Sequence, residues 1–177
     1  GCRGEAELCL RNEWRDLYPG VEMLVDIHSH VVPSGDDGVA SEAEGLGLIK
    51  QAAARGTSVI YATPHVWPID GLEVSREMSV RDAFERMRPE AKKHGVELHL
   101  GFEVTPAAER FDEDPARYRL GELNAVLVEM PFHGSIDVPL QYAELVETTG
   151  LVPIIAHPER SDAVLIAPAC LGVMRER

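Results

Sequence analysis

Two histidines two positions apart, His28 and His30 in MLVDIHSHVV, follow directly on an apolar run of strand character. Side chains at i and i+2 share one face of a strand, so the pair is placed to grip one ion together. It fits equally well two unrelated polar residues where a strand meets water. The other apolar runs end in the same manner. His65 closes TSVIYATPH, Glu103 lies in VELHLGFEV, Glu129 in NAVLVEMP and His157 in LVPIIAHPER. Imidazole and carboxylate without thiolate suit Zn, Mn or Fe, and such a mixture fits an open catalytic site better than a structural zinc cage. Carboxylates able to bridge two ions allow a multinuclear centre that polarises a phosphoryl oxygen and lowers the pKa of a bound water to ~7. Phosphoester hydrolysis is the chemistry this donor set favours.

Two further features fit that chemistry. Arg160 stands three residues beyond His157, and a guanidinium offers a planar fork matched to phosphate, although a surface salt bridge would explain it as well. SGDDGVA supplies Asp36 and Asp37, read as one metal ligand and one residue of a turn closed by Gly38. Three histidines fit less well and are read as structural: His94 just before Gly95 at a helix end, His99 inside a strand, and His133 in a loop. Cys9 and Arg15 have the spacing of a cysteine phosphatase. The residues between them, LRNEW, are bulky and lack the glycines of an anion cradle, so the match is accidental.

The elements that must position these groups alternate. Apolar runs of strand length are separated by segments of helical character, the signature of an α/β protein. Ser41 with Glu44 three residues later reads as a capping box opening a helix, and Gly56 as its stop. Further helices are expected around SVRDAFERMRPEAKKHG and PLQYAELVETTG. In an α/β barrel the carboxyl ends of all strands meet on one face, and active sites are built there. Chance capping explains any one of these strand-end residues but not five runs together.

With 177 residues, 45% hydrophobic and 27% charged, the chain suits one globular domain. Thirty acidic against 17 basic residues give a formal net charge of −13, which disfavours nucleic acid as a partner. No apolar stretch approaches the ~18 residues of a membrane span, and a cytoplasmic location is the simplest reading. Cys2, Cys9 and Cys170 are odd in number and follow no zinc spacing, so free thiols are expected.

DIHSH, DDG, ATPH, GFE, VEMP and AHPER, in this order, make the chain resemble the polymerase and histidinol phosphatase (PHP) superfamily. Within it, the likeness is greatest to the metal-dependent protein-tyrosine phosphatases of bacterial capsule and exopolysaccharide systems. The resemblance runs from about Met23 to Arg160. It implies a distorted (β/α)7 PHP barrel holding up to three divalent ions, commonly Mn, with Fe or Zn as alternatives. It implies hydrolysis of phosphotyrosine on the tail of a partner tyrosine kinase, without a covalent phosphoenzyme. By the same resemblance His28, His30, Asp37, His65, Glu103, Glu129 and His157 are metal ligands, with Glu103 as the bridge. Arg160, Glu103 and Asp37 are the catalytic candidates, Arg160 holding phosphate.

The chain departs from the family pattern in two places. Val66 stands where family members often have a second histidine. The family's late Asp-x-His motif has no counterpart, since Asp162 is followed by Ala163 and Val164. The expectation is therefore residues 1–22 as a leader or appended segment, and a phosphatase domain over 23–177, C-terminally incomplete and truncated after about five strands. Partial metal occupancy follows, or a wall supplied by another subunit. Alternatives are a small-molecule phosphatase such as a histidinol phosphate phosphatase, and a non-catalytic metal-binding module.

Overall fold

A computed structural model describes residues 23–67, 72–169 and 172. The expectations for the leader, for the Cys9–Arg15 spacing and for Cys170 lie outside the described residues. The described residues form seven strands, β1 (Leu24–Ser29), β2 (Thr57–Ala62), β3 (His65–Val66), β4 (Glu97–Leu100), β5 (Glu103–Val104), β6 (Ala125–Glu129) and β7 (Val152–Ala156), with α-helices between β1 and β2, β3 and β4, β6 and β7, and after β7. The helices are α1 (Glu42–Ala54), α2 (Val74–Lys93), α3 (Asp137–Thr148) and the short α4 (Asp162–Ile166). Every strand pairing is parallel.

The strands form two sheets, β1-β2-β4 and β3-β5-β6-β7, where the sequence suggested one continuous barrel wall. The division has a local cause. β2 and β3 are one path interrupted at Thr63 and Pro64, and proline has no N–H to give a ladder. β4 and β5 are one path interrupted at Gly101 and Phe102. The neighbouring paths stay bonded across both breaks: the Gly101 N–H donates to the Ala62 carbonyl at 2.9 Å, and the Glu103 N–H to the Pro64 carbonyl at 3.1 Å. Five parallel paths therefore lie side by side in chain order, as the alternation of elements implied.

Helix α1 opens at Ser41, whose hydroxyl accepts the Glu44 N–H at 3.3 Å. The expected box is completed one residue early, because the Glu44 carboxylate takes the Ala40 N–H at 2.9 Å instead of that of Ser41. Arg55 caps the far end and Gly56 follows at φ 102°. Helix α2 begins at Val74, five residues before the expected Ser79. No side chain caps it there, so the sequence carries no start signal. His94 caps its other end, as expected.

Packing follows the two periodicities. Ile49 of α1, with Val80, Phe84 and Met87 of α2 and Tyr142 and Val146 of α3, covers one face of the strands, against Ile60, Leu98, Val126 and Val128. Burying each such side chain contributes about 1.5–3 kcal/mol. The opposite face carries a smaller apolar group, Tyr61, Leu120, Ala125, Leu127 and Ala156. β6 is thus buried on both faces, which is why it reads as an unbroken apolar run. Val66 lies in the larger core and is fully buried, so no second histidine follows His65.

The approach of α1 to the end of β1 needs a residue without a Cβ. At Gly45 a Cβ would stand 2.0 Å from the Val31 carbonyl oxygen and 2.7 Å from Met87 Cε, whereas Gly47, two residues on, faces open space. Gly45→Ala is expected to destabilise the fold by about 1–3 kcal/mol through overpacking. Gly47→Ala should stabilise it by about 0.5–1 kcal/mol through helix propensity. Urea unfolding of the two variants beside the wild type checks both signs.

Candidate metal centre

Period-two alternation decides which strand-end residues can meet. Tyr61, Leu127 and Ala156 mark the face turned away from the helices. His65 continues the phase of Tyr61 along β2 and β3, Glu129 continues that of Leu127, and Glu103 alternates with the core residues Phe102 and Val104. Register brings the ends level: His65 lies opposite Glu103, Ser29 opposite Ala62, and Glu129 opposite Ala156.

His157 is the exception. Ile155 packs on the helix-facing core and Ala156 on the other face, so alternation would send His157 toward the helices. Instead it adopts a left-handed conformation, φ 31° and ψ 50°, alone among the described non-glycine residues in having positive φ. That conformation costs about 1–2 kcal/mol for a residue with a Cβ. It turns the ring inward, placing Nε2 2.9 Å from Glu103 Oε1.

Glu103 is the centre of the cluster. It is fully buried. Its Oε2 lies 2.9 Å from His28 Nε2, 3.1 Å from His30 Nε2 and 3.4 Å from His65 Nδ1. Burial alone would push this carboxyl up, but hydrogen bonds from His28 and His30 and the nearby imidazoles outweigh it and hold Glu103 well below the usual carboxylate range. Burial likewise works against the His30 imidazolium, and there the Glu103 hydrogen bond with the charges of Asp36, Glu103 and Asp37 raises its pKa.

The two adjacent aspartates are placed differently. Asp36 is wholly enclosed and accepts the His65 N–H at 2.9 Å and the Gly38 N–H at 3.0 Å. Burial works against its charge, but hydrogen bonds from Ser34, His65 and Gly38 lower its pKa on balance. Asp37 is 71% exposed and stands 3.1 Å from His30 Nδ1 and 3.5 Å from His65 Nε2. Arg76 locks the same turn, giving Nε to the Ser34 carbonyl at 2.9 Å and an η nitrogen to the His65 carbonyl at 2.8 Å. Gly38 is required because a Cβ there would meet the His30 carbonyl oxygen at 2.6 Å. Thr105 donates to Glu129 and orients it.

Three groups of donor atoms, each within 4.8 Å of one another, result: His28 with His30 and Glu103, His30 with Asp37 and His65, and His65 with Glu103 and Glu129. Each pair of groups shares one residue. The arrangement fits divalent ions better than it fits hydrogen bonding. His28 and His30 point Nε2 at each other across 3.3 Å, and the buried Nδ1 atoms of His65 and His157 have no hydrogen-bond partner among the described residues. All seven expected donors and Arg160 line one pocket of about 390 Å³ at the carboxyl ends of the strands.

The remaining histidines stand elsewhere. His94 ends α2, His99 stacks on Tyr61 at 4.7 Å, and His133 hydrogen-bonds Asp162 at 2.6 Å. A larger groove of about 1450 Å³ runs along β4 between α2 and the segment 116–122. The metal-capable groups found among the described residues all belong to the smaller pocket. Sequence reading missed Arg76 and Phe132, which also lines the pocket; each is a single residue in a polar stretch or loop with no spacing to mark it.

The chain is similar to the tyrosine-protein phosphatase YwqE of Bacillus subtilis, 32% identical over 163 residues, which cover 87% of this chain and 61% of that protein. The putative tyrosine-protein phosphatase CapC of Staphylococcus aureus is 30% identical, over 80% of this chain and 56% of that one. The tyrosine-protein phosphatase CpsB of Streptococcus pneumoniae is 28% identical, over 80% of this chain and 59% of that one. Among solved structures, a chain from crystal structures of the B. subtilis YwqE and S. pneumoniae CpsB, described as unique metal-dependent tyrosine phosphatases, matches with a TM-score of 0.71 at 26% identity. That match covers 84% of this chain and 61% of the other. The chain spans about three fifths of the length of these relatives. Residues 24–170 match the family described as capsular polysaccharide synthesis, CpsB/CapC, and the chain belongs to that family.

Proposed function

We propose that this chain carries the metal centre of a phosphotyrosine phosphatase. Its substrate on this reading is a phosphorylated tyrosine kinase that regulates capsule or exopolysaccharide synthesis in the cytoplasm. One observation carries the reading: four imidazoles and three carboxylates converge in a single pocket with Arg160 at its rim. The relatives' names support the phosphotyrosine specificity, and the parallel paths in chain order support a distorted (β/α)7 PHP barrel. His28, His30, Asp37, His65, Glu103, Glu129 and His157 would hold up to three divalent ions, with manganese favoured. Such ions supply Lewis acidity, neutralising phosphoryl charge and easing ionisation of the attacking water.

The chain's own residues do the rest. Glu103 stays ionised although buried, and its two oxygens face different imidazoles, Oε2 toward His28 and His30 and Oε1 toward His157. Asp36 and Arg76 hold the turn that sets His30, Asp37 and His65. Arg160 sits on the 3₁₀ turn Pro158–Arg160, which begins as His157 leaves the sheet. Its fork can take two non-bridging phosphoryl oxygens at once. A tyrosine phenolate leaves with a pKa near ~10 and needs little help from a general acid.

Dialysis against a chelator should abolish release of phosphate from a phosphotyrosyl peptide, and Mn²⁺ should restore it. Persistence of full activity in metal-free protein, checked by elemental analysis, would sink the reading. Asp36→Ala should weaken metal binding about 10- to 100-fold by freeing the ligand-bearing turn, measured by competition with a chromogenic chelator. Arg160→Ala should lower kcat/KM by about 10²–10³ as a lost transition-state donor. Arg160→Lys should recover only part of it, because an ammonium cannot bind two oxygens as a fork. Steady-state kinetics on the metal-loaded variants decides.

A further inference from the structure

Among the described residues that line the metal pocket, Phe132 is the one large apolar side chain, and it is 48% exposed there among imidazoles, carboxylates and a guanidinium. Other apolar side chains of this protein are as exposed, Val74 and Ile166 among them, and what sets Phe132 apart is its position among the ionisable groups of the pocket. The ring is also held in place. The Phe132 carbonyl accepts the Asp162 N–H at 2.9 Å, and the next residue, His133, gives Nδ1 to the Asp162 carboxylate at 2.6 Å. Two bonds thus pin the EMPFHG loop to the start of α4, two residues beyond Arg160.

The pinned ring lies nearly parallel to His157, 8° between planes with centroids 6.0 Å apart, and the Arg160 guanidinium carbon is 5.9 Å from its centroid. Phe132 ends a row of rings running across the mouth: His157 to His28 at 5.5 Å, His28 to His30 at 5.4 Å, His30 to His65 at 4.7 Å, and His65 to Trp67 at 5.4 Å. On the phosphotyrosine reading, a phosphoryl group held between these donors and Arg160 would leave its ester oxygen toward the mouth, the side on which the rest of the substrate must lie. In an aryl phosphate the next group is a flat ring, which pairs well with another aromatic ring. In an alkyl phosphate it is a flexible methylene, which gains little from one.

We propose that Phe132 is the specificity-determining residue of the pocket, an aromatic platform that selects aryl over alkyl phosphomonoesters. The inference rests on the phosphotyrosine reading above and names the residue that enforces it. Phe132 touches the ring of the substrate and not the reacting phosphorus. Its loss therefore changes discrimination between substrates more than turnover of any one.

The test compares metal-loaded wild type, Phe132→Ala and Phe132→Tyr in two ways. The first is kcat/KM on a phosphotyrosyl peptide and its phosphoseryl counterpart. The second is calorimetric affinity for phenylphosphonate and methylphosphonate, which need no turnover. The aryl-to-alkyl ratio should fall about 5- to 10-fold in Phe132→Ala, equivalent to about 1–1.4 kcal/mol, mainly through KM, and should be kept by Phe132→Tyr. Equal losses on both substrates and both phosphonates would mean that Phe132 only supports His157, and would overturn the proposal; so would an unchanged ratio. A Phe132-dependent preference for phenylphosphonate in a protein that hydrolyses no phosphotyrosyl peptide would leave the platform standing and defeat the proposed function. Hydrolysis with no Phe132-dependent preference would do the reverse.

Discussion

The buried carboxylate of Glu103 is the constraint around which the rest of the pocket is arranged. An ionised carboxyl removed from water costs several kcal/mol even after the protein relaxes. Here it is enclosed by imidazole nitrogens at 2.9, 3.1, 3.4 and 2.9 Å. Protonating all four rings would set like charges within a few ångströms of one another. Leaving them neutral gives the carboxylate hydrogen bonds but little positive charge. His28 Nε2 and His30 Nε2 face each other at 3.3 Å, a geometry natural to two lone pairs directed at a common cation and awkward for two N–H groups.

Placing four strand paths around one carboxylate demands that their ends arrive level and in phase. Parallel register does most of this, since His65 is the direct partner of Glu103 and Ala156 of Glu129. Where phase fails, the chain accepts strain: His157 takes a left-handed backbone conformation and so leaves the helix-facing side where Ile155 packs. Where space fails, a side chain is omitted, as at Gly38 beneath His30 and at Gly45 beneath Val31. Strain of this kind persists only where the surroundings over-determine it. At His157 they include Phe132 stacked on the ring and Glu103 bonded to it.

Much of this arrangement was legible in the sequence because strand ends are. An apolar run of five or six residues shows where a strand stops, and the residue found there is the one the carboxyl face receives. His28, His30, His65, Glu103 and Glu129 could be read in this way, and His157 was found by position although alternation alone aims it wrongly. Asp36 and Asp37 are adjacent, and only three-dimensional enclosure separates the buried orienting group from the exposed donor. Arg76 and Phe132 reach the site through tertiary contacts from residues with no local pattern. The division into two sheets depends on how the breaks at Thr63–Pro64 and Gly101–Phe102 fall side by side in neighbouring paths, which no single segment reveals. The start of α2 at Val74 went unread because no capping side chain announces it.

Charge links the centre to its proposed substrate. Asp37, Glu103 and Glu129 bring a formal −3 to the pocket and Arg160 brings +1, so with neutral imidazoles the site stands at −2. A phosphomonoester dianion meets repulsion in such a pocket, on a chain whose net charge of −13 adds to it. Two divalent ions would raise the sum to +2 and three to +4. The sign of the field at the mouth is then set by metal loading and not by Arg160, whose single charge cannot reverse it. On the proposed reading, Arg160 and Phe132 would orient a phosphate ester and choose among esters only after that reversal. On the proposed function, substrate affinity and catalysis would be lost together on removal of the ions, and an acidic residue added at the rim would weaken the first before it touched the second.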